Sequence, residues 1–150
     1  MTSAMPMSPA EQNRLLGEIT TLLVQELPQG WQRLVLDYMT VGRHVNVACG
    51  VRMSDGTTQR ISPPKAIAPL LSQLRHGMYH EGRGTWYSLE LIIDPPNTYS
   101  VKYNWDDEPR FRSAPAPEQF RLDHEKYPRT EENLQPWLRQ RLAAAGQTES

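Results

Sequence analysis

The chain is constrained most by runs of alternating apolar residues separated by turns too short to carry a crossover. Val45, Val47, Cys49, Val51 and Met53 alternate with His44, Asn46, Ala48, Gly50 and Arg52, the period-two pattern of a strand with one buried face. Asp55-Gly56 follows and supplies the positive φ angles of a tight hairpin, which folds Thr57–Ile61 back as the next strand. Before Gly42, Leu34, Leu36 and Tyr38 alternate with Arg33, Val35 and Asp37. Further on, Tyr87, Leu89, Leu91 and Ile93 share a face, Asp94-Pro95-Pro96-Asn97 turns the chain, and Tyr99, Val101, Tyr103 and Trp105 share a face of the returning strand. Strands joined this closely pair antiparallel, because a parallel pair needs a much longer connection.

Helical periods surround these strands. Ser8-Pro9-Ala10-Glu11 has the form of a capping box, and Leu15, Ile19, Leu22, Leu23 and Leu27 continue it as one apolar stripe that Pro28-Gln29-Gly30 ends. Ser62-Pro63-Pro64 opens a second helix, in which Ile67, Leu70, Leu71, Leu74 and Met78 fall on one face and which Gly82 and Gly84 close. Residues 106–117 carry acids, arginines and prolines without a period and read as a loop. Phe120 and Tyr127 mark a short helix ended by Pro128. A last helix carries Trp137, Leu138 and Leu142, with Asn133 as its cap and Pro136 in its first turn. The order predicts an α+β fold: a single antiparallel, meander-like sheet of about five strands with N-terminal, middle and C-terminal helices mainly on one face. At 150 residues the chain is read as one domain over 8–145, with disordered ends at 1–7 and 146–150.

Charge and composition narrow the chemistry. Sixteen basic residues against seventeen acidic ones leave no basic footprint for nucleic acid. The acids are bunched in the C-terminal half. No apolar run approaches the roughly 18 residues of a membrane span, and the start lacks the apolar core of a signal peptide, so the expectation is a soluble, cytoplasmic protein with no membrane partner. The single Cys49 excludes an intrachain disulfide framework and a cysteine-built zinc site, and its place on an apolar strand face reads as a small buried hydrophobe. His76 and His80 lie four apart on the second helix, but the residues between them include no glutamate to act as base. His44 and His124 stand near no nucleophile motif, and Gly82-Arg83-Gly84 is too short and too late in its helix to cradle phosphate. No catalytic residue, metal or cofactor is therefore expected. A small metal-dependent hydrolase using His76, His80 and the clustered acids is the alternative, together with a chaperone-like adaptor for a secreted effector.

The sharpest local feature is Tyr103-Asn104-Trp105-Asp106-Asp107-Glu108-Pro109-Arg110-Phe111-Arg112. Calcium loops space their ligands at alternate positions around a turn glycine, which three adjacent acids before a proline do not match. Paired catalytic carboxylates come from separate elements across a cleft, whereas adjacent aspartates on a strand point to opposite sides. Aromatics and arginine are enriched at binding hot spots, and clustered charge speeds encounter with an oppositely charged partner. Tyr103, Trp105, Asp106, Asp107, Glu108, Arg110 and Phe111 are accordingly the candidate partner-binding residues.

Across nearly its whole length the chain resembles the YezG-like immunity proteins, which include the EsaG antitoxin type. The resemblance lies in the N-terminal helix leading to "LPQGWQRLVL", the amphipathic middle helix and "GTWYSLELIIDPPNTYSVKYNWDDEP". Asn104-Trp105-Asp106-Asp107 stands where the family has an Asn-Tyr-Asp-Asp-like step, with Trp105 in place of the more usual tyrosine. The late "KYPRTEENLQPWL" is similar to the closing segment of actinobacterial relatives through Tyr127-Pro128-Arg129 and Pro136-Trp137-Leu138. The resemblance implies a cytoplasmic inhibitor that binds a polymorphic toxin exported by a type VII secretion system, either a nuclease or an NAD-degrading toxin. It would occlude or distort the toxin's active site and stand as a monomer or weak homodimer when free. The acids 106–108 would then complement a basic toxin cleft.

Overall fold

A computed structural model of the chain describes residues 6–148; the expected disordered ends at 1–5 and 149–150 lie outside the described residues. Four α-helices and one five-stranded antiparallel sheet make up an α+β fold among them. Helix α1 (Pro9–Gln25) leads into β1 (Trp31–Val41), β2 (His44–Met53) and β3 (Thr58–Arg60). Helix α2 (Ile67–Gly77) follows, then β4 (Ser88–Asp94), β5 (Thr98–Asn104), α3 (Pro117–Lys126), a 3₁₀ turn (Glu131–Asn133) and α4 (Pro136–Thr148).

The sheet order is β3-β2-β1-β4-β5, so β1 is the central strand. It pairs β2 through Leu36↔Cys49 and β4 through Leu36↔Leu91. The hairpins expected at Asp55-Gly56 and at 94–97 are both present. Between them α2 breaks the meander, carrying the chain from the β3 edge across the sheet to β4 on the other side of β1.

The alternation seen in the sequence sorts the side chains. Leu34, Leu36, Val51, Leu89, Leu91 and Ile93 turn to one face and are buried under Leu15, Ile19 and Leu23 of α1 and Leu71 and Leu74 of α2. Each such side chain contributes roughly 1.5–3 kcal/mol through removal from water. The other face carries Val35, Asp37, Met39, Glu90, Ile92 and Lys102 and stays half-buried to exposed. A second, smaller cluster of Val41, Tyr87, Phe120 and Leu138 holds α3 and α4 against the end of β1.

Several boundaries differ from expectation. Helix α2 begins at Ile67 rather than at the prolines, since a residue before proline is pushed out of the helical region and both Ser62 and Pro63 occupy that position. It stops at Gly77, and the glycines at 82 and 84 belong to a separate turn in which the His80 amide donates to the Gly84 carbonyl at 2.9 Å. The Ser8 cap forms, with its hydroxyl accepting from the Glu11 amide at 3.2 Å, but the Glu11 carboxylate turns to Arg14 instead of back to Ser8. At the other end α4 runs on to Thr148, past the expected boundary at 145, and begins at Pro136, while Asn133 lies in the 3₁₀ turn before it. Residue 7, expected to be disordered, donates its amide to the Gly77 carbonyl at 2.6 Å. Tyr87 is not the first residue of the β4 core face. The strand begins one residue later, so Trp86 enters the main core and Tyr87 the second cluster.

Candidate partner-binding site

The residues singled out in 103–111 begin where β5 ends. Tyr103 is the last core-facing residue of that strand; its ring lies 5.6 Å from the Trp86 ring, and burial above all pushes its phenol up to about 12. Asn104 then turns the chain. Its side-chain oxygen accepts the Asp107 amide at 2.9 Å and its amide nitrogen donates to the Asp107 carbonyl at 2.8 Å, the local bonding for which asparagine is favoured in turns. Trp105 is half-buried, with the Arg83 guanidinium 5.3 Å above its ring.

The acids do not act alike. Asp106 pairs with Arg129 at 3.4 Å and with Arg83 at 4.0 Å, and its carbonyl accepts the Trp137 indole N–H at 2.7 Å. Glu108 pairs with Arg141 of α4 at 2.7 Å. Asp107 points outward and stands in no ion pair among the described residues. Pro109 is buried, Arg110 is exposed, and Phe111 packs edge-on to the His44 ring at 5.2 Å. Two of the three acids therefore fasten the loop to the body. Asp107 and Arg110 are both exposed, so the surface left at the tip has mixed charge where sequence reasoning expected a negative one.

The loop is tied down from inside by Arg129, whose side chain is 1% exposed. Its guanidinium donates to the carbonyls of Thr85 at 3.1 Å, Asn133 at 3.3 Å and Trp105. Room for it exists because residue 84 is glycine: a Cβ there would come within 2.6 Å of Arg129 Nε, and φ is +84°.

A second buried arginine also packs on Tyr87. Arg75 and Asp123, each with 6% side-chain exposure, form a bidentate pair at 2.7 and 2.9 Å. Arg75 Nε donates to the Trp86 carbonyl at 2.7 Å, and Asp123 also accepts the Gly42 amide at 2.9 Å. Two guanidinium groups thus stand over the Tyr87 ring, Arg75 at 5.7 Å and Arg129 at 4.9 Å from its centroid. Burial raises its phenol to about 12, although both arginines oppose the rise. Sequence reasoning missed this seam. The available signal was Arg75 itself, which falls four residues after Leu71 and eight after Ile67, within the apolar arc of its helix.

The other candidates for chemistry are dispersed. His76 Nδ1 lies 3.1 Å from the Tyr127 hydroxyl, and His80 is exposed beyond the end of α2. Burial lowers the pKa of His124, with Arg129 adding to the effect, and burial raises the Cys49 thiol to about 11. Among the described residues no three histidine, cysteine or carboxylate side chains gather as a metal site. Nor, among the described residues, is any helix long and apolar enough to cross a membrane. Neither a scan against protein-family models nor a search of curated proteins returns a match.

Proposed function

We propose that the chain is an immunity protein that binds a secreted bacterial toxin and blocks its active site. The observation that carries the reading is the fixed shape of the 104–111 loop. Asn104, buried Arg129, Trp137 and Arg141 hold its main chain and two of its acids, while Asp107, Arg110 and part of the Trp105 ring face outward. A loop already held in one conformation loses little entropy when it docks, which favours tight binding by a surface of modest size. The resemblance to YezG-like immunity proteins supports the same reading, and within it the toxin is a nuclease or an NAD-degrading domain. The tip presents one exposed anion and one exposed cation, which would set register on the partner rather than mimic a polyanion.

Co-expression with candidate nuclease and NAD-degrading toxin domains tests the proposal. Growth should be restored by the wild type. The double charge reversal Asp107→Lys with Arg110→Glu should weaken the complex by about 10-fold or more, since mismatched charges at a contact are costly. Continued toxicity with the wild type rejects the function. Undiminished binding by the double variant moves the contact elsewhere.

A further inference from the structure

Strand β2 is an edge strand over half its length. β3 pairs only with Gly50, Val51 and Arg52, and the Ile61 amide donates to the Cys49 carbonyl at 3.0 Å where the seam ends. Pro63 and Pro64 follow; neither can donate to a ladder, so the chain leaves β2 and enters α2. The register fixes which groups are left over. The Thr40 amide donates to the Tyr87 carbonyl at 2.9 Å, so in β1 the main-chain groups of Tyr38 and Thr40 point to β4 and those of Asp37 and Met39 to β2. Asp37 opposes Ala48 and Met39 opposes Asn46, hence Val45 and Val47 direct both amide and carbonyl outward. Among the described residues no backbone bond receives them.

The surroundings of this edge say what would complete it. On the helical side lies a groove of about 490 Å³ lined by Val45, Val47, Pro63, Ile67 and Ala68. It shares Tyr38, Val45 and Ser72 with a cleft of about 330 Å³ above Arg75. Val45 is 49% exposed and is the only large apolar side chain so exposed among the described residues. Cations frame the edge: Lys65, Arg43 and Lys126 border the groove and cleft, Arg110 and Arg112 flank Asn46 and Ala48 on the open face, and Arg60 opposes Gly50. None of these six stands in an ion pair among the described residues, whereas Arg75, Arg83, Arg129 and Arg141 all do.

We infer that the free half of β2 is a strand-addition site for an extended segment of a partner protein whose alternate side chains are aliphatic and acidic. Successive side chains of an added strand point to opposite faces. One set enters the Val45–Ile67 groove, and the other meets Arg60, Arg110 and Arg112. Main-chain bonds to Val45 and Val47 supply sequence-independent affinity, and the groove and cations supply selectivity. A second copy of the chain is disfavoured as occupant, because pairing β2 with itself about a two-fold axis brings the same cations face to face. The inference goes beyond the toxin-neutralising reading and holds whatever the partner's activity.

The test uses the full chain and a capped peptide of about nine alternating valine and glutamate residues, with a valine–lysine peptide of equal length as comparator. The glutamate peptide should slow hydrogen exchange at the Val45 and Val47 amides, and should bind about 10-fold or more tighter than the lysine peptide at low salt. Val45→Pro removes one outward amide without touching the β1 ladder and should abolish this protection. Arg110→Glu with Arg112→Glu, on the face that meets the charged set, keeps the β2 backbone intact and should reverse the peptide preference. Equal binding of both peptides, absence of protection at Val45 and Val47, or concentration-dependent protection without peptide would overturn the inference.

Discussion

The residue that organises the interior is Tyr87, and its setting makes a definite prediction about its neighbours. Asp123 holds the charge of Arg75 in a site both side chains leave 6% exposed, so Asp123→Asn strands a buried guanidinium. The expected loss is roughly 3–5 kcal/mol, read from the shift of a urea unfolding midpoint at unchanged slope. Replacing both partners, Arg75→Met with Asp123→Leu, should recover much of it, because two apolar groups leave no charge uncompensated. A loss below about 1 kcal/mol for the single change would mean that water enters the site. The buried acids give a second expectation at this scale. The folded pKa values of Tyr87 and Tyr103 are raised to about 12 and that of Cys49 to about 11, all through burial first. A raised folded pKa means that the native state holds the proton more tightly than the unfolded chain. Stability should therefore be insensitive to these groups below about pH 8, the thiol's unfolded range. It should then fall as pH rises through about 9–12, and a stability profile still flat at pH 11 would contradict the burial assigned to them.

At the scale of elements, the turn from His80 to Gly84 decides whether the 104–111 loop is fixed. Gly84 and Gly56 both adopt positive φ, at +84° and +88°. A Cβ at Gly56 meets nothing within 4 Å, whereas one at Gly84 lies 2.6 Å from Arg129 Nε. Gly56→Ala should cost only the backbone term of about 1–2 kcal/mol. Gly84→Ala should cost that and also displace Arg129, and hydrogen exchange at residues 105–108 should quicken in this variant alone. Equal effects of the two substitutions would detach the loop from Arg129. The same comparison shows what was legible in the sequence. Period-two runs with short turns fixed the strands and their antiparallel pairing, because one buried face imposes the alternation directly. The site residues were located but their roles were not. Asp106 and Glu108 are answered by Arg129 and Arg141, 23 and 33 residues away, and no local pattern reveals such partners. Arg75 stood out within the apolar arc of its helix, but its pairing with Asp123, 48 residues away, was hidden for the same reason. The expected limits of α2 were too wide because Ser62-Pro63-Pro64 resembles a helix start and Met78 continues the apolar stripe beyond Gly77, while the pre-proline restriction and the turn at 80–84 set the real limits.

The whole molecule consists of two apolar clusters with a polar seam between them. The larger joins α1 and α2 to the sheet, and the smaller joins α3 and α4 to the end of β1. Arg75, Asp123 and Arg129 lie along the boundary, where their hydrogen bonds reach Trp86, Thr85 and Gly42. Apolar burial holds each part together irrespective of direction, but the seam depends on charged groups in fixed geometry, so the two layers should open at different free energies. Native-state hydrogen exchange in low urea should show α3 and α4 amides opening before those of β1 and β4. Asp123→Asn should widen the gap by lowering the α3–α4 value while moving the β1 value by less. Because Asp106 and Glu108 are held by Arg129 and Arg141 from the same C-terminal layer, the 104–111 loop should lose protection together with α4. A single common opening free energy for all four elements would show that the seam joins the layers as firmly as apolar packing does, and the rigidity of the loop would then come from global stability rather than from its local ties.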